Sequence, residues 1–309
     1  MERENFQFVK NMNRFILYIH WVDAKIVYNT LTSIQNAYNY STKDTEFIIV
    51  LNEQTFTEEP IIDPKDMWKE FINHPFISKC KIKKITNDDK IYGSSKCRIE
   101  FYNKNGLTYW GESDCLLPLE FFYITENFQN VYKDRPYIMT FSSRKMWDGW
   151  EQVEHPLCKN LSTSPIPNKI TTVIDSTNFL RFDGPMSLDL LYKFNDNQGD
   201  PEIVLLPIPR VEATLLTLSD NLSENLICPA LICCHEDWNL EILLKYYNIP
   251  QFHVKNILKG HDTGNSNKRI NIKSNPGCKI RSEKFNDLQS RDKELMISWI
   301  NKHYSGEFK

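Results

Sequence analysis

The 309-residue chain is 41% hydrophobic and 25% charged, an ordinary soluble composition with length for one large α/β domain or two modest ones. Its net charge of -3 provides no basic field to draw it to nucleic acid or an anionic membrane. Eight scattered cysteines form no CxxC pair, Cys233-Cys234 being the one close pair, so reduced thiols and a cytoplasmic location are expected.

The start, MERENFQFVKNMNRF, mixes acids with bases and does not read as a secretory signal. No apolar run reaches the roughly 18 residues that a membrane helix needs. RFILYIHWV (14–22) reads as a buried strand. DAKIVYNTLTSIQNAYNY follows with Ile26, Leu31, Ile34 and Tyr38 at helical spacing and Asp23 as its N-cap. EFIIVLNEQTF (46–56) is a second apolar strand. Strand, helix and strand in close succession predict a βαβ unit, hence a parallel sheet covered by helices. In such sheets ligands lie beyond the carboxyl ends of the strands. Those ends carry His20 and Trp21, then Asn52 and Glu53. Trp21 fits the core equally well.

Farther on, DMWKEFI suggests a short helix and KCKIKKI (79–85) a third strand. GSSKCRIEFYNKNG (93–106) reads as a helix capped by Gly106, and LTYWGESDCLLP starts as a strand. PLEFFYITENFQNVY (118–132) reads as a helix with Pro118 in its first turn. Residues 134–210 are proline-rich and irregular, with YIMTF, KITTVI and EIVLLPI as candidate strands. LICPALICCHEDWNLEILLKYYNI (226–249) runs from a loop into a helix, and FHVKNILKGHDTG is a last strand with its exit. Residues 264–284 read as a basic loop. DLQSRDKELMISWINKHY is an amphipathic helix with Leu288, Leu295, Met296 and Trp299 on one face. A single domain is the simpler reading.

Two short acidic stretches carry the chemistry. In YWGESDCLLP, an extended backbone turns Glu112 and Asp114 to one side and Ser113 to the other. Gly111 permits a turn or a close approach. Two carboxylates on one side repel unless a cation joins them, and oxygen-only ligation suits Mg2+ or Mn2+. Such an ion grips a diphosphate and supports its departure. A solvated turn holding two acids is the plainer alternative. In CCHEDWNLEILLKYY, Glu236 and Asp237 open an apolar helix, whose N-terminus favours an ionised carboxylate. Capping of that helix is the plainer alternative there.

The order βαβ, strand, helix, strand, ESD, apolar residues, proline resembles the nucleotide-sugar half of the GT-A glycosyltransferase fold, over roughly residues 14–265. In that fold an acidic DxD motif ends a strand. The later Glu-Asp pair and a histidine after the last core strand are similar to family 2 of those enzymes. The resemblance implies an α/β, mostly parallel sheet flanked by helices, with an irregular acceptor-side region and a C-terminal helix. Within residues 1–309 it implies a nucleotide-sugar half at about 14–130, an acceptor half at 131–265, and a basic loop with the C-terminal helix at 266–309.

It also implies roles. Asp114 binds Mn2+ or Mg2+, and Glu112 contacts the metal's water shell or the donor's ribose. His261 in KGHDTG completes the metal site, although alone it also fits a surface loop. Asp237 is the base of an inverting transfer, with Glu236 as the fallback. His20, Trp21, Asn52, Glu53, Ser95 and Arg98 line an NDP-sugar, most readily a UDP-sugar. Lys268, Arg269 and Lys273 fold over its diphosphate, and Trp147 and Trp150 offer stacking platforms for the acceptor. The acceptor is left open between a glycan, a small molecule and a modified nucleic acid. A sugar nucleotidyltransferase fits less well, because HWVDAKIVYN has no glycine after the first strand. A non-catalytic module binding sugar or nucleic acid through residues 264–284 is the other alternative.

Overall fold

The computed structural model of the protein describes residues 12–19, 24–53, 68–86 apart from 70, 90, 92–132, 135–145, 188–211 apart from 197, 215–220, 222, 224–232, 235–261 and 276–307. Within them the strands are β1 (Asn13–Ile19), β2 (Thr45–Asn52), β3 (Cys80–Ile85), β4 (Thr108–Glu112), β5 (Cys115–Leu116), β6 (Ile138–Lys145), β7 (Glu202–Leu205), β8 (Leu215–Leu218) and β9 (Gln251–His261). They form one sheet in the order β3-β2-β1-β4-β8-β6-β9-β5, with β7 also on β9. β1 to β4, β6 and β9 run one way, and β5, β7 and β8 run the other. The sheet is therefore mostly parallel.

A parallel strand is buried on both faces, so it reads as an unbroken apolar run. In β1, Phe15, Leu17 and Ile19 enter one apolar cluster, and Ile16 and Tyr18 enter the other. β2 divides the same way, with Phe47, Ile49 and Leu51 against Ile48 and Val50. Helices cover both faces. α1 (Ala24–Tyr38) buries Val27, Leu31 and Ile34 on the first face. On the second face α2 (Ser94–Glu100) buries Cys97. α3 (Phe121–Val131) adds Phe121, Phe122 and Ile124 to the first. α4 (Leu188–Asn195) packs on β9, where Asn195 donates to Leu258 O at 3.0 Å and accepts from Leu258 N at 2.9 Å. α5 (Glu236–Tyr246) and α6 (Pro276–Ser305) complete the second face with Leu240, Leu243, Leu244, Met296 and Ile300. Burial of each such side chain contributes roughly 1.5–3 kcal/mol.

Several details depart from expectation. α2 stops at Glu100 with Phe101 as its C-cap, so Gly106 caps nothing. Gly106 instead lets the chain pass Met12, whose carbonyl oxygen lies 2.6 Å from where a Cβ would stand. Pro118 precedes α3, and its carbonyl accepts from Phe121 N at 3.2 Å. Residues 276–284, expected in a loop, form the first turns of α6. β8 and α4 were not anticipated. Asp23, KITTVI, Trp147 and Trp150 lie outside the described residues. Cys80, Cys97, Cys115 and Cys228 are free thiols. No described helix is long and apolar enough to cross a membrane.

Candidate active site

The strands that run together bring the ends of β2, β4 and β9 to one edge of the sheet. Glu112 ends β4, Ser113 and Asp114 form a turn, and β5 begins at Cys115. The segment is a turn and not the extended strand expected. Ser113 is buried and its carbonyl accepts from Thr30 Oγ1 at 2.8 Å, while Glu112 and Asp114 stay partly exposed. Gly111 is required by proximity: a Cβ there would stand 2.9 Å from the Phe15 ring and 3.3 Å from Cys115 Sγ.

The second acidic pair opens α5. His235 is its N-cap residue, left-handed at φ 67°, and makes no side-chain cap. A non-glycine residue in that region is strained, and such strain gathers at functional sites. Glu236 is buried, and Ser94 Oγ donates to its Oε1 at 2.8 Å. Ser94 N–H also donates to Ile232 O at 3.0 Å, so the start of α2 is sewn to the loop before α5. Gly93 makes that contact possible, since a Cβ there would lie 2.2 Å from Leu231 O. Asp237, one residue on, is only partly buried.

Arg98 joins the two pairs. Its side chain is 1% exposed and its guanidinium carbon lies 4.4 Å over the Trp110 ring. Nη2 stands 3.8 Å from Glu112 Oε1 and 4.0 Å from Glu236 Oε1. Burial, then the charges of Asp114, Glu236 and Asp237, push the Glu112 carboxyl up to about 8 against the opposing pull of Arg98. Arg98 thus stands between two distant segments of the chain, one carrying Glu112 and Asp114 and the other Glu236 and Asp237. The Glu112 side chain keeps 31% of its exposure.

Does this donor set fit a divalent cation? Among the described residues no three His, Cys, Asp or Glu side chains lie in metal-holding geometry. Mg2+-type ions, however, use one or two carboxylates plus substrate phosphates rather than an all-protein cage. Glu112 and Asp114 meet that requirement, and a cation relieves the repulsion that raises Glu112. The register pairs His261 with Cys115, the residue after Asp114. Its side chain is outside what is described.

The remaining sequence candidates divide. Asn52 is 1% exposed, with its Nδ2 donating to Tyr18 Oη at 2.9 Å and Tyr92 O at 2.8 Å. It supports the strand end and offers no surface to a nucleotide. Ser95 is fully buried and its Oγ makes no hydrogen bond to protein, and Arg98 lies behind the carboxylates. α2 packs with both side chains inward. Glu53 is mostly buried, with Lys84 Nζ at 3.7 Å. His20, Trp21, Lys268, Arg269 and Lys273 lie outside the described residues. Sequence reasoning missed Ser94. The signal was the neighbouring Gly93, a start for a helix held close to another segment.

No protein-family model and no curated protein matches the sequence. Among solved structures, GalNAc-T7 with UDP, GalNAc and Mn2+ is 12% identical, at a TM-score of 0.43 over 81% of this chain and 43% of that one. S. aureus TarS 1-349 with UDP-GlcNAc is 13% identical, at 0.29 over 48% and 38%. TarS 1-349 alone is 11% identical, at 0.34 over 95% and 72%. The chain spans less than half of the first two.

Proposed function

We propose that the protein is a metal-dependent glycosyltransferase of GT-A type that moves a sugar from an NDP-sugar, most readily a UDP-sugar, to an acceptor hydroxyl with inversion. The observation that carries this reading is the meeting of Glu112 and Asp114 with Glu236 and Asp237 at the strand-end edge of a mostly parallel sheet. One pair can hold the donor's cation while the other faces the acceptor.

Asp114 and Glu112 would hold Mn2+ or Mg2+, with His261 as the further ligand. The bound ion supplies Lewis acidity toward the departing diphosphate. Asp237 takes the proton from the acceptor hydroxyl, a contribution of about 10² to 10⁴ in rate. Its place in the first turn of α5 favours the carboxylate form. Glu236, fixed by Ser94 and faced by Arg98, positions the turn that carries Asp237.

The test is a thermal-shift screen of UDP-, GDP- and dTDP-sugars with and without Mn2+, followed by release of the nucleoside diphosphate in solution. A Mn2+-dependent shift with turnover is expected for at least one donor. A shift without turnover on any glycan, small-molecule or modified-DNA acceptor would replace the reading with a binding module.

A further inference from the structure

Arg98 belongs to the stretch that sequence spacing nominates for the nucleotide, yet its side chain is buried on the inner side of the carboxylates. Trp110, over which it lies, is itself stacked on Tyr18 with centroids 6.0 Å apart and planes at 25°. A guanidinium on an aromatic face is held in plane as well as in place. From that plane one nitrogen, Nη2, reaches toward Glu112 and toward Glu236 at 3.8 and 4.0 Å. Both are ion-pair distances, longer than a hydrogen bond. A buried cation is tolerated when such partners surround it, and its removal leaves them uncompensated.

We propose that Arg98 is a positioning residue that bridges the donor-side carboxylate Glu112 to the acceptor-side carboxylate Glu236 and so sets the spacing of the two halves of the site. The proposal rests on the glycosyltransferase reading. With the bridge removed, Glu236 keeps the Ser94 bond but loses the charge that orients it toward β4. Asp237, the next residue of the same helical turn, shifts with it. Donor binding rests first on Asp114, so it is expected to change less than turnover.

The experiment is Mn2+-dependent UDP release from UDP-GlcNAc, UDP-GalNAc or UDP-glucose, with water as acceptor. It compares wild type, Arg98→Met, Arg98→Lys, Glu236→Gln and Arg98→Met/Glu236→Gln. Arg98→Met is expected to lower kcat at least about tenfold while donor KM stays within about threefold. Arg98→Lys, which keeps the charge without the planar stack, is expected to be intermediate. The double variant is expected to be no worse than the poorer single one, because both act through one carboxylate. Losses that multiply in the double variant, or a change in KM alone, overturn the proposal. If Arg98→Met does not fold, Arg98→Lys decides, and a wild-type kcat in it overturns the bridge. No release of nucleoside diphosphate by the wild type from any UDP-, GDP- or dTDP-sugar, with water or with the screened acceptors, overturns the glycosyltransferase reading, and the proposal with it. Wild-type release with multiplying losses overturns the proposal alone.

Discussion

The Asp292 carboxylate accepts a 2.9 Å hydrogen bond from the backbone N–H of Ile232, and both groups are buried. That bond ties α6 to the loop that leads into Glu236. Arg291 holds the other Asp292 oxygen at 2.9 Å, and His235 Nε2 meets Gln289 O at 3.2 Å one turn away. The C-terminal helix is thus a brace for the second acidic pair.

Asp292→Ala removes the acceptor and leaves a buried N–H unsatisfied, a loss of about 1–3 kcal/mol. Denaturant unfolding measures it. Asp292→Asn keeps an acceptor oxygen and is expected to lose less. Equal stability of Asp292→Ala and wild type would show that the brace contributes nothing.

Gly93 tests the other side of the same loop. A Cβ at this position meets backbone atoms, Leu231 O at 2.2 Å and Ile232 Cα at 2.5 Å, which a rotamer change cannot move. Gly93→Ala is expected to destabilise by about 1–3 kcal/mol through overpacking. It also pushes α2, with Ser94 and Arg98, away from Glu236. Reduced UDP release beyond the loss of folded protein is the second readout.

The parallel part of the sheet was legible because strands buried on both faces leave unbroken apolar runs, as in RFILYI and EFIIVL. The acidic motifs were legible because each precedes an apolar run. β8 was not, since the four residues of LLTL carry no periodicity to read. Nor was the role of Arg98. Nothing near it in the chain marks Glu112 or Glu236 as partners, and the three meet only after β4, α2 and α5 have packed. Ser94 and Ser95 look alike in sequence, and only the turn of α2 decides that Ser94 faces Glu236.

His74 carries a pH-dependent part of the stability. The Thr32 hydroxyl donates to Tyr28 O at 3.0 Å, so it accepts from His74 Nε2–H at 3.0 Å. Nδ1 is then bare and accepts from Phe76 N–H at 3.1 Å. The ring is neutral in this network, and burial holds its pKa below the usual 6.5. A lowered histidine pKa stabilises the fold above the unfolded value. That contribution is lost as pH falls below about 6.5 through the folded value. Unfolding between about pH 7.5 and pH 5.5 is expected to show this decline, alongside that of His303, also lowered by burial. His74→Asn keeps an N-cap acceptor for Phe76 without titrating there, so the decline is expected to shrink.

On the proposed reading, cation binding depends on Asp114. Asp114→Asn is expected to keep the fold and to abolish Mn2+-dependent UDP binding, read by titration calorimetry with and without the ion. Unchanged metal-dependent affinity would remove Asp114 from the site. Glu112→Gln is expected to weaken that binding less, because Glu112 also answers to Arg98.

The two acids of α5 differ in ways that separate their roles. Glu236 is buried and its Oε1 is occupied by Ser94, whereas Asp237 is partly exposed. A base must reach an acceptor hydroxyl that arrives from outside, and of these two acids Asp237 is the more exposed. On the proposed reading donor binding uses Glu112 and Asp114. Asp237→Asn is therefore expected to retain UDP affinity and to lose turnover by at least about 10²-fold, the scale of a lost general base. Glu236→Gln keeps an acceptor for Ser94 and is expected to be milder. A reversed order of severity would make Glu236 the base, reaching the acceptor through a movement of its Ser94 contact. Near-normal turnover in both variants would end the inverting mechanism, since no proton acceptor of this pair would then be needed, and a retaining transfer would have to be tested next.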